Sequence, residues 1–251
     1  MTSDLPLIVP AWPALANVQA FSSTRQGGVS AAPWEQLNLG GHVNDHPQHV
    51  AANRQRLADY LGLPAQGFGW LNQVHGTDVV ELTAQNLSHL PPADASYTRE
   101  PGVVCAILTA DCLPVILCNR QGNLVGAAHA GWRSLCGGVL ENLLAAMGEP
   151  AENLMAWLGP AIGPGQFEVG PEVRQAFVSH SPQAASAFAG QGARAGRYMA
   201  DIYQLAKQRL QQAGVSSIEG GGLCTVSDSQ RFYSYRRDGQ TGRMATLIVL
   251  R

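Results

Sequence analysis

Two histidines and a cysteine, each in its own segment, are the residues whose types first suggest chemistry. His75 stands in Gln73-Val74-His75-Gly76, Cys112 in Thr109-Ala110-Asp111-Cys112-Leu113-Pro114, and His129 in His129-Ala130-Gly131-Trp132-Arg133. Two imidazoles and one thiolate suit zinc, and three protein ligands leave a fourth position open to water or substrate. Ligands of a structural zinc finger arrive in close pairs. These are spread over three segments, as in a catalytic site assembled by the fold. Asp111 beside Cys112 is a candidate to orient a metal-bound histidine or to shuttle a proton. The same residue types fit a metal-free pair in which Cys112 is the nucleophile and a histidine its base. Taken singly, each also has a structural reading: a histidine hydrogen-bonded at a strand end, a cysteine packed in a core, an aspartate capping a turn.

Arginines and aromatics supply a second set. Arg25 sits beside Gly27-Gly28, Arg133 follows His129, and Arg236, Arg237 and Arg243 cluster near the C-terminus. Guanidinium groups bind phosphate or carboxylate through paired hydrogen bonds. Asn38, Gln73 and Glu168 are polar residues in loop-like contexts, suited to orienting a ligand or to satisfying local backbone. Among Phe167, Tyr198, Phe232, Tyr233 and Tyr235, a ring can stack on a purine or simply wall a cleft. No P-loop or G-x-G-x-x-G pattern is present, so a nucleoside triphosphate or dinucleotide cofactor has no support. Lys207 is the only lysine and falls on the expected wet face of an amphipathic run, which argues against Schiff-base chemistry.

The elements that must position these residues read as follows. Short strands are expected at 18–22, 68–74 and 77–82, three buried strands at 103–109, 114–118 and 124–128, and further strands at 155–158 and 244–250. Helices are expected at 48–61, 135–147, 171–178 and 201–212, with Pro171 in a first turn and Asp201 near an N-cap. His42, His46 and His49 read as a helix start. The stretch 181–196 is small, polar and alanine-rich, and is expected to be a mobile insertion. Several strands adjoin through hairpin-length turns, so the sheets should be antiparallel or mixed.

Bulk composition narrows the class. The chain has 251 residues, 45% of them hydrophobic, which suits one domain or two closely packed lobes. A net charge of −2 and the lack of a basic stripe exclude a backbone-wrapping nucleic-acid binder. Five cysteines, an odd number with no C-x-x-C pair, suggest neither a disulfide framework nor a zinc knuckle. No basic leader opens the sequence and no apolar run is long enough to span a bilayer, so a reducing cytoplasm is the expected setting.

Five ordered motifs then resemble the laccase-domain family, also called the peptidoglycan editing factor or multicopper polyphenol oxidase-like family. They are Asn72-Gln73-Val74-His75-Gly76, Thr109 to Pro114, His129 to Arg133, Gly159-Pro160-Ala161-Ile162, and Ser234-Tyr235-Arg236-Arg237-Asp238-Gly239-Gln240-Thr241-Gly242-Arg243. Ser23 to Ser30 and Leu37-Asn38-Leu39-Gly40 look like the same family, and the resemblance covers almost the whole chain. It implies an α+β fold, a single compact domain over residues 1–251 with mixed sheets layered between helices. It implies a zinc site of His75, Cys112 and His129. It further implies phosphorolysis of adenosine, inosine or methylthioadenosine, deamination of adenosine, and a link to peptidoglycan precursor editing.

The combined expectation is a cytoplasmic zinc-dependent purine nucleoside phosphorylase and adenosine deaminase, taking nucleoside and phosphate and no nucleic acid or membrane. Asp111 and Cys112 are the expected catalytic residues, and Arg25, Asn38, Gln73, Arg133 and Arg243 the expected substrate-binding ones. The rivals are a metal-free cysteine hydrolase cleaving an amide of a muramoyl-serine precursor, a copper-dependent phenol oxidase, and a non-enzymatic metal or nucleoside binder. Multicopper chemistry needs many histidines, and of the seven here only His75 and His129 lie in the recognised ligand motifs.

Overall fold

Apolar runs buried on both faces set the architecture. The computed structural model describes residues 5–89, 91–190, 192 and 194–251. The strands are β1 (Val18–Ser22), β2 (Phe68–Trp70), β3 (Val79–Glu81), β4 (Ala95–Thr98), β5 (Val104–Thr109), β6 (Leu113–Asn119), β7 (Val125–Ala130), β8 (Leu154–Leu158), β9 (Glu168–Val169), β10 (Phe188–Gly190), β11 (Tyr198–Ala200), β12 (Ser217–Gly220) and β13 (Met244–Leu250). The helices are α1 (Pro47–Leu61), α2 (Trp132–Gly137), α3 (Val139–Met147), α4 (Pro171–His180), α5 (Ile202–Gln212) and α6 (Tyr235–Asp238). A four-stranded sheet runs β1-β13-β5-β2, a six-stranded sheet runs β12-β8-β6-β7-β4-β3, and a small three-stranded sheet runs β10-β11-β9. Both large sheets are mixed: β2 pairs β5 in parallel, as do β3 with β4 and β12 with β8, and the remaining pairs are antiparallel.

The two large sheets pack face to face between helical layers. Alternation along β5 shows how one strand serves two cores. Cys105 and Ile107 point between the sheets to meet Ile116, Ala127 and Trp157, while Val104, Ala106 and Leu108 point outward onto Leu57 and Leu61 of α1. The far face of the six-stranded sheet carries α3, α4 and α5 through Leu140, Leu143, Phe177 and Leu205. This is a single compact α+β domain with mixed sheets between helices, as the sequence resemblance implied. No helix among the described residues is long and apolar enough to cross a membrane.

Three local expectations fail. The helix expected over 135–147 is two helices, because Gly138 adopts φ 102°, a left-handed conformation that ends α2 before α3 begins. The strands expected at 68–74 and 77–82 shrink to β2 and β3, which join different sheets. This frees the intervening segment around His75 from any ladder. The stretch 181–196 is not a mobile insertion where it is described. It forms a 3₁₀ turn (Pro182–Ala187) and β10, because Ala184, Ala187 and Phe188 are buried against the core under α4 and α5. Gln191 and Ala193 of that stretch lie outside the described residues.

Candidate metal centre and its cleft

The site forms at one end of the sandwich, where three connections leave the sheets. The β5–β6 turn crosses from the smaller large sheet to the six-stranded one and carries Asp111 and Cys112. His129 stands near the end of β7, opposite Pro114, just before α2. His75 sits in the β2–β3 segment. The three donors lie within 4.8 Å of one another, with Cys112 Sγ 3.9 Å from His75 Nε2. The two imidazoles meet edge to face, with ring centroids 4.8 Å apart. Gly131 permits this closeness, since a Cβ there would fall 3.0 Å from Cys112 Sγ and 3.4 Å from a His75 ring carbon.

One residue that the sequence did not single out organises both histidines. Asp94, fully buried at the start of β4, accepts His129 Nδ1–H at 2.7 Å through Oδ1. The same carboxylate accepts the backbone N–H groups of Val74 (3.1 Å), His75 (3.0 Å) and Gly76 (2.6 Å). Successive amides wrapping an anion in this way hold a turn in a fixed shape. His75 at its centre has φ 61°, unusual for a residue with a side chain. Burial alone would raise the Asp94 carboxyl, but the His129 hydrogen bond and the converging amides outweigh it, and its pKa lies below the usual range.

The donor chemistry fits a metal. With Nδ1–H given to Asp94, His129 keeps the Nε2 lone pair for coordination. A tetrahedral zinc with ordinary bond lengths needs donor atoms about 3.3–3.6 Å apart; the Cys112–His75 pair stands at 3.9 Å and all three donors within 4.8 Å, so they would close in slightly on an ion. Without an ion, burial would raise the Cys112 thiol, yet the neighbouring His129 and His75 pull it down towards thiolate. Burial would lower the His129 imidazole, yet the Cys112 sulfur and Asp94 pull it up. Among the described residues this is the one His/Cys/Asp/Glu group gathered closely enough to hold an ion.

The trio opens onto a cleft with two lobes that meet at His75, Ala110, Cys112 and Tyr235. One lobe, of about 260 Å³, is walled by Trp132, Ile162, Phe167 and Ile202, with Arg133 and Arg236 among its lining. The other, of about 300 Å³, is lined by His42, Gln73, Thr109, His129 and Arg243. Tyr235 is exposed at the junction.

The expected substrate-binding residues separate sharply. Arg133 lies over the Trp132 ring, 4.3 Å from its centroid, and lines the aromatic lobe. Gln73 lines the polar lobe, and its amide is pegged to Leu108 by two 2.8 Å hydrogen bonds with that residue's backbone. Arg243 lines the polar lobe. Arg25 is not in the cleft: it donates to the carbonyls of Glu35 and Ser229 and stacks 4.8 Å over Tyr233. Asn38 is fully buried and faces Asp45 and Gly40 rather than open space. Asp111 lines the cleft at φ 88°, with Oδ1 accepting the Thr225 hydroxyl and Oδ2 the Arg236 amide, both at 2.6 Å. Phe232 and Tyr233 are core residues, Tyr198 carries Arg174 over its ring, and Glu168 is ion-paired to Arg194. His42 was read with the helix start and instead lines the site. Asp94 had one signal in the sequence, a lone acid in the run Ala93-Asp94-Ala95, since a charge among small apolar residues must be paired if buried.

Comparison with known proteins shows what the chain is similar to. The family model described as multi-copper polyphenol oxidoreductase laccase matches residues 19–251. A protein of Escherichia coli named purine nucleoside phosphorylase YfiH is 54% identical, over 97% of this chain and 98% of its own. A purine nucleoside phosphorylase of Pseudomonas aeruginosa is 53% identical over 97% of this chain and 98% of its own. The crystal structure of a Neisseria meningitidis protein superposes with TM-score 0.92 at 48% identity, covering 97% of this chain and 98% of that one.

Proposed function

The chain belongs to this multi-copper polyphenol oxidoreductase laccase family, and we propose that it is a zinc-dependent purine nucleoside phosphorylase. The observation that carries the reading is the divided cleft: an aromatic lobe and a polar lobe meeting at a three-donor centre. The names of the relatives point to the same reaction class. A purine suits the aromatic lobe, stacked among Trp132, Phe167 and Tyr235, with Arg133 at its edge. The ribose then lies at the junction, and phosphate reaches the anomeric carbon from the polar lobe. A bound zinc would act as a Lewis acid and lower the pKa of water to about 7, the chemistry that adenosine deamination also needs.

The chain's own residues supply the rest. His75, Cys112 and His129 hold the ion, and Asp94 fixes the tautomer of one histidine and the loop of the other. Asp111 faces the cleft with a carboxylate already holding Thr225 and Arg236, so we assign it first to anchoring the Tyr235–Arg236 turn and second to proton transfer. A mononuclear centre favours zinc over the several coppers in the family's description. The five free cysteines suit a reducing compartment, and we place the protein in the cytoplasm.

Incubating the purified protein with adenosine or inosine and phosphate should release adenine or hypoxanthine with ribose 1-phosphate, measured by chromatography. A protein that releases no free base with either nucleoside ends this reading. One observation favours a second reading. Asp94, His129 and Cys112 line up as carboxylate, imidazole and thiol, the order of a cysteine hydrolase. Cleavage of a muramoyl-serine amide by metal-stripped protein would establish it.

A further inference from the structure

We propose that Arg243 is the anchor for inorganic phosphate, and that the Asn38–Gly40 turn is the mount that aims it. The inference rests on the phosphorylase reading and assigns one substrate to one lobe of its cleft. Three observations carry it. Among the residues lining the polar lobe, Arg243 is the one permanent cation. His42 lines the same lobe, and its imidazole can donate or accept a hydrogen bond beside the arginine. The arginines of the other lobe sit closer on its walls: Arg236 donates to the Glu168 carbonyl and lies 5.7 Å from the Phe167 centroid, and Arg133 lies 4.3 Å from that of Trp132, against 6.0 Å for Arg243 and Tyr235.

Arg243 is also held more tightly than a surface arginine. Its backbone N–H donates to Asn38 Oδ1 at 2.9 Å, and its carbonyl accepts from Leu39 at 3.1 Å. Asn38 is fixed in turn by Asp45 at 2.9 Å and by the Gly40 amide at 3.0 Å. A Cβ on Gly40 would sit 2.8 Å from Arg243 Cγ, near the root of the side chain, so only glycine lets the arginine pass. At the far end, Nη1 donates to the carbonyls of Thr241 and Gly242. Nε and Nη2 have no hydrogen-bond acceptor among the described residues, and together they form the edge that matches two phosphate oxygens.

The placement gives a balanced reaction. A phosphate oxygen, held by Arg243, forms the bond to C1′ of the ribose. The bond from C1′ to the purine nitrogen breaks with its electron pair going to the base. The proton of hydrogen phosphate ends on the purine, leaving ribose 1-phosphate. Asn38 never meets substrate in this scheme and is a positioning residue.

The test uses zinc-loaded protein and inorganic phosphate. Arg243→Gln should raise the KM for phosphate roughly tenfold to a hundredfold, the loss of a charge-assisted pair, with a smaller change in kcat. Calorimetry should show phosphate affinity falling by the same factor, with zinc content and adenosine affinity unchanged. Gly40→Ala should reproduce the effect while keeping the arginine. Arg243→Lys should recover part of it, which also covers a glutamine variant that folds poorly. Arg133→Gln should show the opposite signature, a raised nucleoside KM and an unchanged phosphate KM. Native phosphate affinity in Arg243→Gln would overturn the inference. So would a loss confined to nucleoside 5′-monophosphate, because the arginine would then serve a substrate's own phosphate. If the wild-type protein binds phosphate through Arg243 but cleaves no nucleoside, the anion site stands and the phosphorylase reading falls.

Discussion

Asp94→Asn is the sharpest perturbation of this centre. The side chain is fully buried, and its partner His129 is 3% exposed. The native carboxylate accepts four hydrogen bonds, one from an imidazole and three from consecutive amides. An asparagine of the same shape has one acceptor oxygen and one donor nitrogen, so it meets at least one of those donors with another donor. If the NH₂ faces His129, the imidazole must move its proton to Nε2 and loses its metal-binding lone pair. If the NH₂ takes the place of Oδ2, the Val74 and Gly76 amides that flank the left-handed His75 lose their acceptor. Either way one ligand is misdirected, and zinc affinity should fall about 10- to 100-fold. Breaking a buried charged pair from one side costs about 3–5 kcal/mol. For a chain of this size that lowers the melting temperature of metal-free protein by roughly 6–20 °C. Competition with a chromogenic chelator measures the first quantity and thermal unfolding the second. A variant with native zinc affinity would refute the claim that Asp94 organises the ligands, whatever its melting temperature.

Further outcomes follow from the same geometry. Cys112→Ala should abolish stoichiometric zinc, read by elemental analysis; zinc retained with activity lost would make the thiol a nucleophile. Trp132→Ala should raise the nucleoside KM roughly tenfold through lost stacking and leave the phosphate KM alone. Burial pushes the Cys105 and Cys118 thiols up to about 12, so they stay protonated in the fold while unfolded thiols ionise near 9. Their contribution is therefore intact below about pH 9 and is lost as pH rises towards 12, by about 1.4 kcal/mol per pH unit per thiol. Urea unfolding at pH 8 and pH 10.5 should show that loss, and Cys105→Ala should reduce its slope.

What was legible in the sequence is what depends on residue type and local order. His75, Cys112 and His129 stood out because few other residues offer soft donors, and their three segments were already distinct. The buried strands at 103–109 and 114–118 were visible as unbroken apolar runs. What stayed hidden depends on pairing between distant strands. Arg25 and Arg243 look alike in sequence, each beside glycine. The register of β13 on β5 sets Met244 opposite Thr109, which puts Arg243 at the mouth of the Cys112 turn. Arg25 leaves β1 on the far side of β13 and turns towards Arg231 and Glu35. Asn38 had the right neighbourhood and the wrong role, because only the folded chain brings its amide to the backbone of residue 243. The break at Gly138 had a signal in the Gly137-Gly138 pair. The docking of 181–196 had one in the spacing of Ala184, Ala187 and Phe188, which puts three apolar residues on one face.

The two non-glycine residues with left-handed backbone at this centre, His75 and Asp111, are each tied down by a buried carboxylate. Asp94 takes the amide of His75, and Asp111 offers its own carboxylate to the Arg236 amide and Thr225. Backbone in that region costs of order 1–3 kcal/mol and persists only where its surroundings over-determine it. Hydrogen bonds between the protein's own groups therefore offset that cost. Zinc fingers are the opposite case, because there metal binding is the folding energy. Metal-free protein should stay folded, and added zinc should stabilise it only by mass action, about 4 kcal/mol at a thousandfold excess over its dissociation constant.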